Sequence, residues 1–268
     1  SLNFVYTNSP PVISNLITSN SATTTVTVNY DIDDAESGTL SWINLYYKPG
    51  VTSTNALNST ATSSITVSNA SFFPTSGTIL IDDEVITYTS KSGNDLAGTI
   101  TRGAATSTAA AHSVGTTVWV KAISTTGNGV GNSIATSTGK TISWDAKTDV
   151  SGFYSASAQV RVVANDGAIS NMIGASSSAA FTLDTKNPVN GTLMINGLTA
   201  AEAATTTVAV TIGGGSPLSD DSQVNIQFSE DEVNWYGANA DGTVNGSAST
   251  WGTATTTGAV IGSWNWNL

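Results

Sequence analysis

Ala22–Tyr30 reads ATTTVTVNY, and Gln159–Ala164 reads QVRVVA. Both runs alternate apolar and polar positions and are rich in β-branched residues, the period-2 pattern of a strand with one buried face. Working outward, Thr205–Ile212 (TTTVAVTI) repeats the pattern. Thr78–Thr89 (TILIDDEVITYT) reads the same way, as one strand carrying Asp82, Asp83 and Glu84 inside it. No long segment shows the 3.6-residue period of an amphipathic helix, and Ala104–Ala111 suits one helical turn at most. Asn128-Gly129, Asp166-Gly167, Asn190-Gly191, Asn196-Gly197, Asp241-Gly242 and Asn245-Gly246 punctuate the runs with residues that tolerate positive φ. The expected class is all-β, built as antiparallel sandwiches.

Composition narrows the function. Of 268 residues, 39% are hydrophobic, enough to fill a core, but only 10% are charged, against about 25% in a typical domain. Thr, Ser, Ala, Asn and Gly take the surface positions instead. Eight basic residues face nineteen acidic ones, for a net charge of −11. A phosphate-binding face has almost nothing to be built from, which excludes nucleic acid as a partner. The absence of cysteine removes disulfides, thiolate metal sites and cysteine nucleophiles together. No apolar run approaches the roughly 20 residues of a membrane span, so no membrane insertion is expected. The chain opens on Ser1 rather than Met, as expected of a processed chain or a segment of a longer one.

Two segments resemble module junctions: Asn8-Ser9-Pro10-Pro11 after the strand-like Leu2–Tyr6, and Asp184-Thr185-Lys186-Asn187-Pro188 after Ala180–Leu183. Each sets an apolar strand, a polar step and a proline before the next series of strands (Val12–Ile17; Gly191–Ile195). Proline stops ladder pairing and stiffens the link. The expected layout has residues 1–8 as the closing strand of a preceding module or a linker. Residues 9–50 with 118–184 form a first sandwich, 51–117 an inserted small β module, and 185–268 a second sandwich. The second sandwich stops two strands short, so a strand from a neighbour is expected to complete it unless the chain is a segment. Leu45–Lys48 and Trp119–Ile123 are expected as adjacent strands of the first sandwich, with the insert on the hairpin that joins them.

Particular phrases carry a resemblance. PPVISNLITSNSATTTVTVNYDIDDAESGTLSWINLYY (10–47), KTISWDAKTDVSGFYSASAQVRVVANDG (140–167) and FTLDT (181–185) are similar to bacterial and phage Ig-like, fibronectin-III-like surface repeats. So is 184–237, with its proline-started strand and an F-S-x-D-x-x-x-W phrase at Phe228, Ser229, Asp231 and Trp235. The stretch 72–118 resembles a small β module found in phage tail and other virion proteins. The match is carried by the turn Phe73–Gly77, the I-D-x-E run Ile81–Glu84 and the T-R-G…A-A-H-S-x-G run Thr101–Gly115. The resemblance implies tandem Ig-like antiparallel β-sandwiches with a small β module inserted in the first, and no catalytic residues.

The candidate sites are few. Asp31, Asp33, Asp34 and Glu36 form the densest acidic cluster. Carboxylates at alternate positions can wrap Ca²⁺, and a solvated loop at a strand end is the competing reading. No other cofactor is expected. Asp82-Asp83-Glu84, read as strand, points alternate carboxylates to opposite faces and so makes a poor shared ion site. Asp220-Asp221 and Glu230-Asp231-Glu232 fall in expected loops. His112, the one histidine, has no Ser-His-Asp or metal spacing around it and reads as a turn or packing residue. Trp235, Tyr236, Trp251, Trp264 and Trp266 enrich the C-terminal third in aromatics, read as core filling, a subunit interface or a sugar-stacking platform.

These readings converge on a non-enzymatic structural segment of a larger extracellular or virion assembly, such as a phage tail or fibre or a cell-surface filament or layer. Its expected partners are copies of itself or other subunits, with glycans as further partners. The alternative is an adhesin or carbohydrate-binding module that uses the C-terminal aromatics.

Overall fold

In the computed structural model the described residues are 7–20, 25–60, 63–168, 172–186 and 192–195, with short strands at 210–213, 223–224, 227–228, 236–238, 244–245 and 252–253. The chain divides into two compact units, Ser1–Thr185 and Lys186–Leu268. The described residues are predominantly β, in several antiparallel sheets.

The first unit opens with β1 (Val12–Asn20), β2 (Thr25–Asp33) and β3 (Thr39–Thr52). Then come β4 (Ile65–Thr66), β5 (Gly77–Ile81), β6 (Glu84–Tyr88), β7 (Ser90–Ser92) and β8 (Asp95–Ala97). The return runs through β9 (Thr117–Lys121), β10 (Thr125–Thr126), β11 (Gly131–Ala135), β12 (Ser137–Asp145) and the single turn α1 (Ala146–Asp149). It closes with β13 (Tyr154–Ala158), β14 (Val160–Asn165), β15 (Ile173–Ser177) and β16 (Phe181–Asp184). One sheet has the order β1-β2-β12-β10; a larger one runs β15-β14-β3-β9-β5-β6, with β11 also on β3.

Alternation decides which side chains meet between these sheets. Val26, Val28, Tyr30 and Ile32 of β2 are buried, as are Ile142 and Trp144 of β12. They share one hydrophobic cluster with Ile43, Leu45 and Tyr47 of β3 and with Val160, Val162 and Ala164 of β14. The two sheets therefore close on each other as a sandwich-like pair of layers. Tyr47 stacks on Trp144 across the gap, with ring centroids 5.1 Å apart, and the Trp144 indole N–H donates to Asp149 Oδ2 at 2.8 Å.

Strand β3 is the spine of the larger sheet. It pairs with β14 along one edge, and with β11 and then β9 along the other. Leu45–Lys48 and Trp119–Ile123 do lie side by side, with Tyr47 opposite Val120. The register breaks between Tyr47 and Val51, where Pro49 lacks a donor and Gly50 takes φ +75°, the usual setting for a proline inside a strand. Beyond that bulge the chain enters the insert, whose β5 pairs with β9 and continues the sheet. Insert residues Leu57, Ile65, Val67, Phe73, Ile79, Ile86 and Leu96 belong to the same cluster as the sandwich core.

Thr78–Thr89 corrects the sequence reading. It forms two strands, with Ile81 opposite Glu84 and Asp82-Asp83 as the two-residue turn between them. Asp82 holds φ +52°, a backbone region that Asp and Asn tolerate better than most residues.

The outer face of the larger sheet is covered as well. Trp42, Tyr46, Leu80, Val85, Trp119 and Val163 form a second buried cluster, with Ala104 and Ile173 packed against it. Because Trp42 and Tyr46 alternate with Ile43, Leu45 and Tyr47, β3 is buried on both faces, and its run WINLYY is nearly continuous in apolar residues for that reason. At the edge, Pro11 runs against β15 so closely that a Cβ on Gly174 would lie 1.8 Å from the Pro11 carbonyl oxygen.

In the second unit, strands β17 (Thr192–Ile195) and β18 (Val210–Gly213) pair antiparallel. So do β19 (Gln223–Val224) with β23 (Gly252–Thr253), and β20 (Gln227–Phe228), β21 (Tyr236–Ala238) and β22 (Val244–Asn245) in sequence. The expected closing strand at Leu2–Tyr6 and the proline step at Asn187-Pro188 lie outside the described residues. So do Asp220-Asp221 and Glu230-Asp231-Glu232, and the turns at Asn190-Gly191, Asn196-Gly197 and Asp241-Gly242.

Candidate functional site

The chain has two arginines, Arg102 and Arg161, and one histidine. All three converge on the Asp82-Asp83-Glu84 turn. The β5–β6 hairpin supplies the three carboxylates. The loop 101–112 of the insert brings Arg102 and His112, and β14 of the sandwich brings Arg161.

Glu84 is 2% exposed. Arg102 grips it with two parallel bonds, Nε to Oε1 and Nη2 to Oε2, both 2.7 Å, the fork geometry that gives charged hydrogen bonds their strength. The backbone N–H groups of Gly103 and Ala110 add bonds of 2.9 Å each, and His112 Nε2 lies 2.8 Å from Oε2. Burial by itself would push this carboxyl up. The Arg102 bonds, with those from Ala110, His112 and Gly103, outweigh it and hold Glu84 at about 2. Arg102 also donates to the carbonyls of Asn58 (2.7 Å) and Ala110, so one guanidinium joins three stretches of the insert.

His112 is buried and bonded through both ring nitrogens. Its Nδ1 lies 2.8 Å from Asp82 Oδ2 while Nε2 faces Glu84, so the ring sits between two carboxylates. A neutral imidazole donates to one of them, and both bonds together need the second ring proton. Among the described residues both ring nitrogens are bonded to carboxylates. Ser107 Oγ, a buried hydroxyl of the same loop, donates to Ala104 O at 2.8 Å and accepts from Val85 N at 2.9 Å. Arg161 completes the turn from the sandwich side, with Nη1 on Asp82 O (3.1 Å) and Nη2 on Asp83 Oδ1 (2.8 Å).

Beside this turn opens a cavity of about 490 Å³, bounded by Asp82, Asp83, Ser107, Thr108, Met172 and Ile173 among others. Thr106 in its lining has φ +66°, next to Ala105 at +52°, and a β-branched residue rarely adopts that region. Such conformations cost about 1–3 kcal/mol each and persist only where the surroundings over-determine them. Here Asn165 Nδ2 holds Thr106 Oγ1 at 3.1 Å from the sandwich side.

The acidic cluster read from the sequence is spread over separate tasks. Asp31 accepts from Asn15 Nδ2 (2.6 Å) and Gly139 N (2.7 Å), and these bonds hold it below the usual carboxylate range. Asp33 ends β2, exposed. Asp34 Oδ1 caps the N–H groups of Glu36 and Ser37, and its Oδ2 has no partner among the described residues. Glu36 holds Ser9. Among the described residues no group of three or more His, Cys, Asp or Glu side chains is placed to hold a metal ion. Trp235, Trp251, Trp264 and Trp266 lie outside the described residues; Tyr236 falls in β21, its backbone opposite Phe228.

The network at Glu84 was missed because its bonded side chains are 18 to 30 residues apart, a spacing no local motif encodes. The available signal was the I-D-x-E and T-R-G…A-A-H-S runs, whose fixed points Asp82, Glu84, Arg102 and His112 are its four members. Among the described residues no helix is long and apolar enough to cross a membrane. No protein-family model matches the chain, and no curated protein matches it either.

Proposed function

We propose that the chain is a non-catalytic structural segment of a larger extracellular or virion assembly, a phage tail or fibre or a cell-surface filament or layer. Its β units stand in tandem as Ig-like modules, hold shape, and present surfaces to copies of the chain or to other subunits.

The observation that carries this reading is the use the fold makes of its scarce charges. Both arginines and the histidine are bonded into one turn where insert and sandwich meet. A shape-holding element needs such a joint to be stiff. The low overall charge and the lack of thiols suit a surface exposed to proteases and oxidants, and the net charge of −11 keeps free subunits apart until specific contacts form.

Gold-labelled antibody against 72–118, imaged by electron microscopy on the source cells and any particles they shed, tests the reading. Label in a regular array on a particle, fibre or cell surface is the expected result. Label scattered through the cell interior contradicts it.

A further inference from the structure

We infer that the cavity beside the Asp82-Asp83 turn is a binding subsite for a neutral polyhydroxylated ligand, a saccharide unit. The inference rests on the cavity alone and stands or falls independently of the assembly role.

At about 490 Å³ the cavity lies in the range of small-molecule sites. Its lining combines two chemistries. Met172 and Ile173 supply an apolar part. The polar groups are oriented but not saturated. Asp82 and Asp83 each have one carboxylate oxygen pinned, by His112 and by Arg161. The second oxygen of each, and the Thr108 hydroxyl, carry no hydrogen bond among the described residues. Both carboxylates are more than half exposed, at 62% and 71% of their side-chain surface. A ligand entering here therefore meets positioned acceptors beside an apolar surface, which calls for hydroxyl donors on a compact carbon frame.

Charge separates this class from its rivals. An anion meets Asp82 and Asp83 at the mouth. An ammonium group finds Asp83 and Glu84 already paired with Arg161 and Arg102, which removes much of the field that would draw it in. Neutral hydroxyls need only the free acceptors. The fixed outline of the wall, with Thr106 held by Asn165, means that little ordering is left for the ligand to drive.

The chain has two methionines, Met172 and Met194, so methyl-labelled methionine gives two NMR signals, one in the cavity and one in the other unit. The full chain is titrated with glucose, galactose, mannose, N-acetylglucosamine, lactose and maltose, and separately with n-butylammonium. We expect at least one sugar to shift the Met172 methyl saturably while Met194 stays still. Thr108→Val and Asp83→Asn should each weaken that response about fivefold, the loss of one ordinary hydrogen bond. The inference is overturned if no sugar moves Met172, or if both methyls move together. Wild-type binding by both variants, or a response to n-butylammonium alone, overturns it as well.

Discussion

Glu84 shows how a buried carboxylate is kept charged. Five bonds from Arg102, His112, Gly103 and Ala110 replace the water it lost, and removing one partner of such a buried pair costs about 3–5 kcal/mol. Glu84→Gln should lower the stability of the first unit by that much in urea denaturation at neutral pH. Asp83→Asn, which touches only the exposed pair with Arg161, should change it by less than about 1 kcal/mol. The acid response follows from the same bonds. Glu84 titrates at about 2 in the fold against 4.5 as an ordinary side chain, so its contribution is complete above pH 4.5 and drains away as pH falls toward 2. Urea midpoints measured across that window should fall less steeply for Glu84→Gln than for the unmodified chain. The residue scale was the least legible in the sequence. Asp82, Arg102 and His112 are each unremarkable where they stand, and only the folding of loop 101–112 over the hairpin brings them together.

At the scale of elements, the sequence was legible where burial is one-sided. The alternation in β2 read directly as strand because it fills the inter-sheet core with every second residue. It failed at Thr78–Thr89 because Asp82-Asp83 lacks the glycine that marks most two-residue hairpin turns, and the apolar alternation runs on through it. Burial on both faces of β3 also stayed hidden, since the residues packed on its outer cluster, Ala104 and Ile173, come from distant parts of the chain. Two substitutions test the packing. Trp144→Ala removes the ring stacked on Tyr47 and should cost about 3–5 kcal/mol, the usual range for a buried aromatic; thermal denaturation followed by near-UV dichroism checks it. Gly174→Ala places a methyl group where the Pro11 carbonyl oxygen sits. Residues 8–12 should detach, seen as faster amide exchange there, while Ser177→Ala, exposed on the same strand, should leave that exchange unchanged.

For the whole molecule, the proposed role depends on there being no weak joint between insert and sandwich. The insert could have hung from its hairpin as a separate bead. Instead β5 continues the larger sheet, the core runs through without a break, and Arg161 reaches from β14 to the hairpin turn. Low charge and turn spacing let the sequence suggest a structural module, but not this joint, whose Arg161 bonds span 78 and 79 residues. Native-state hydrogen exchange on the 268-residue chain tests it most directly. Amides of β5 and β6 should exchange through the same opening, at the same free energy, as those of β2, β3, β12 and β14. Exchange of β5 and β6 through a separate, lower-energy opening, while the sandwich strands stay protected, would contradict it.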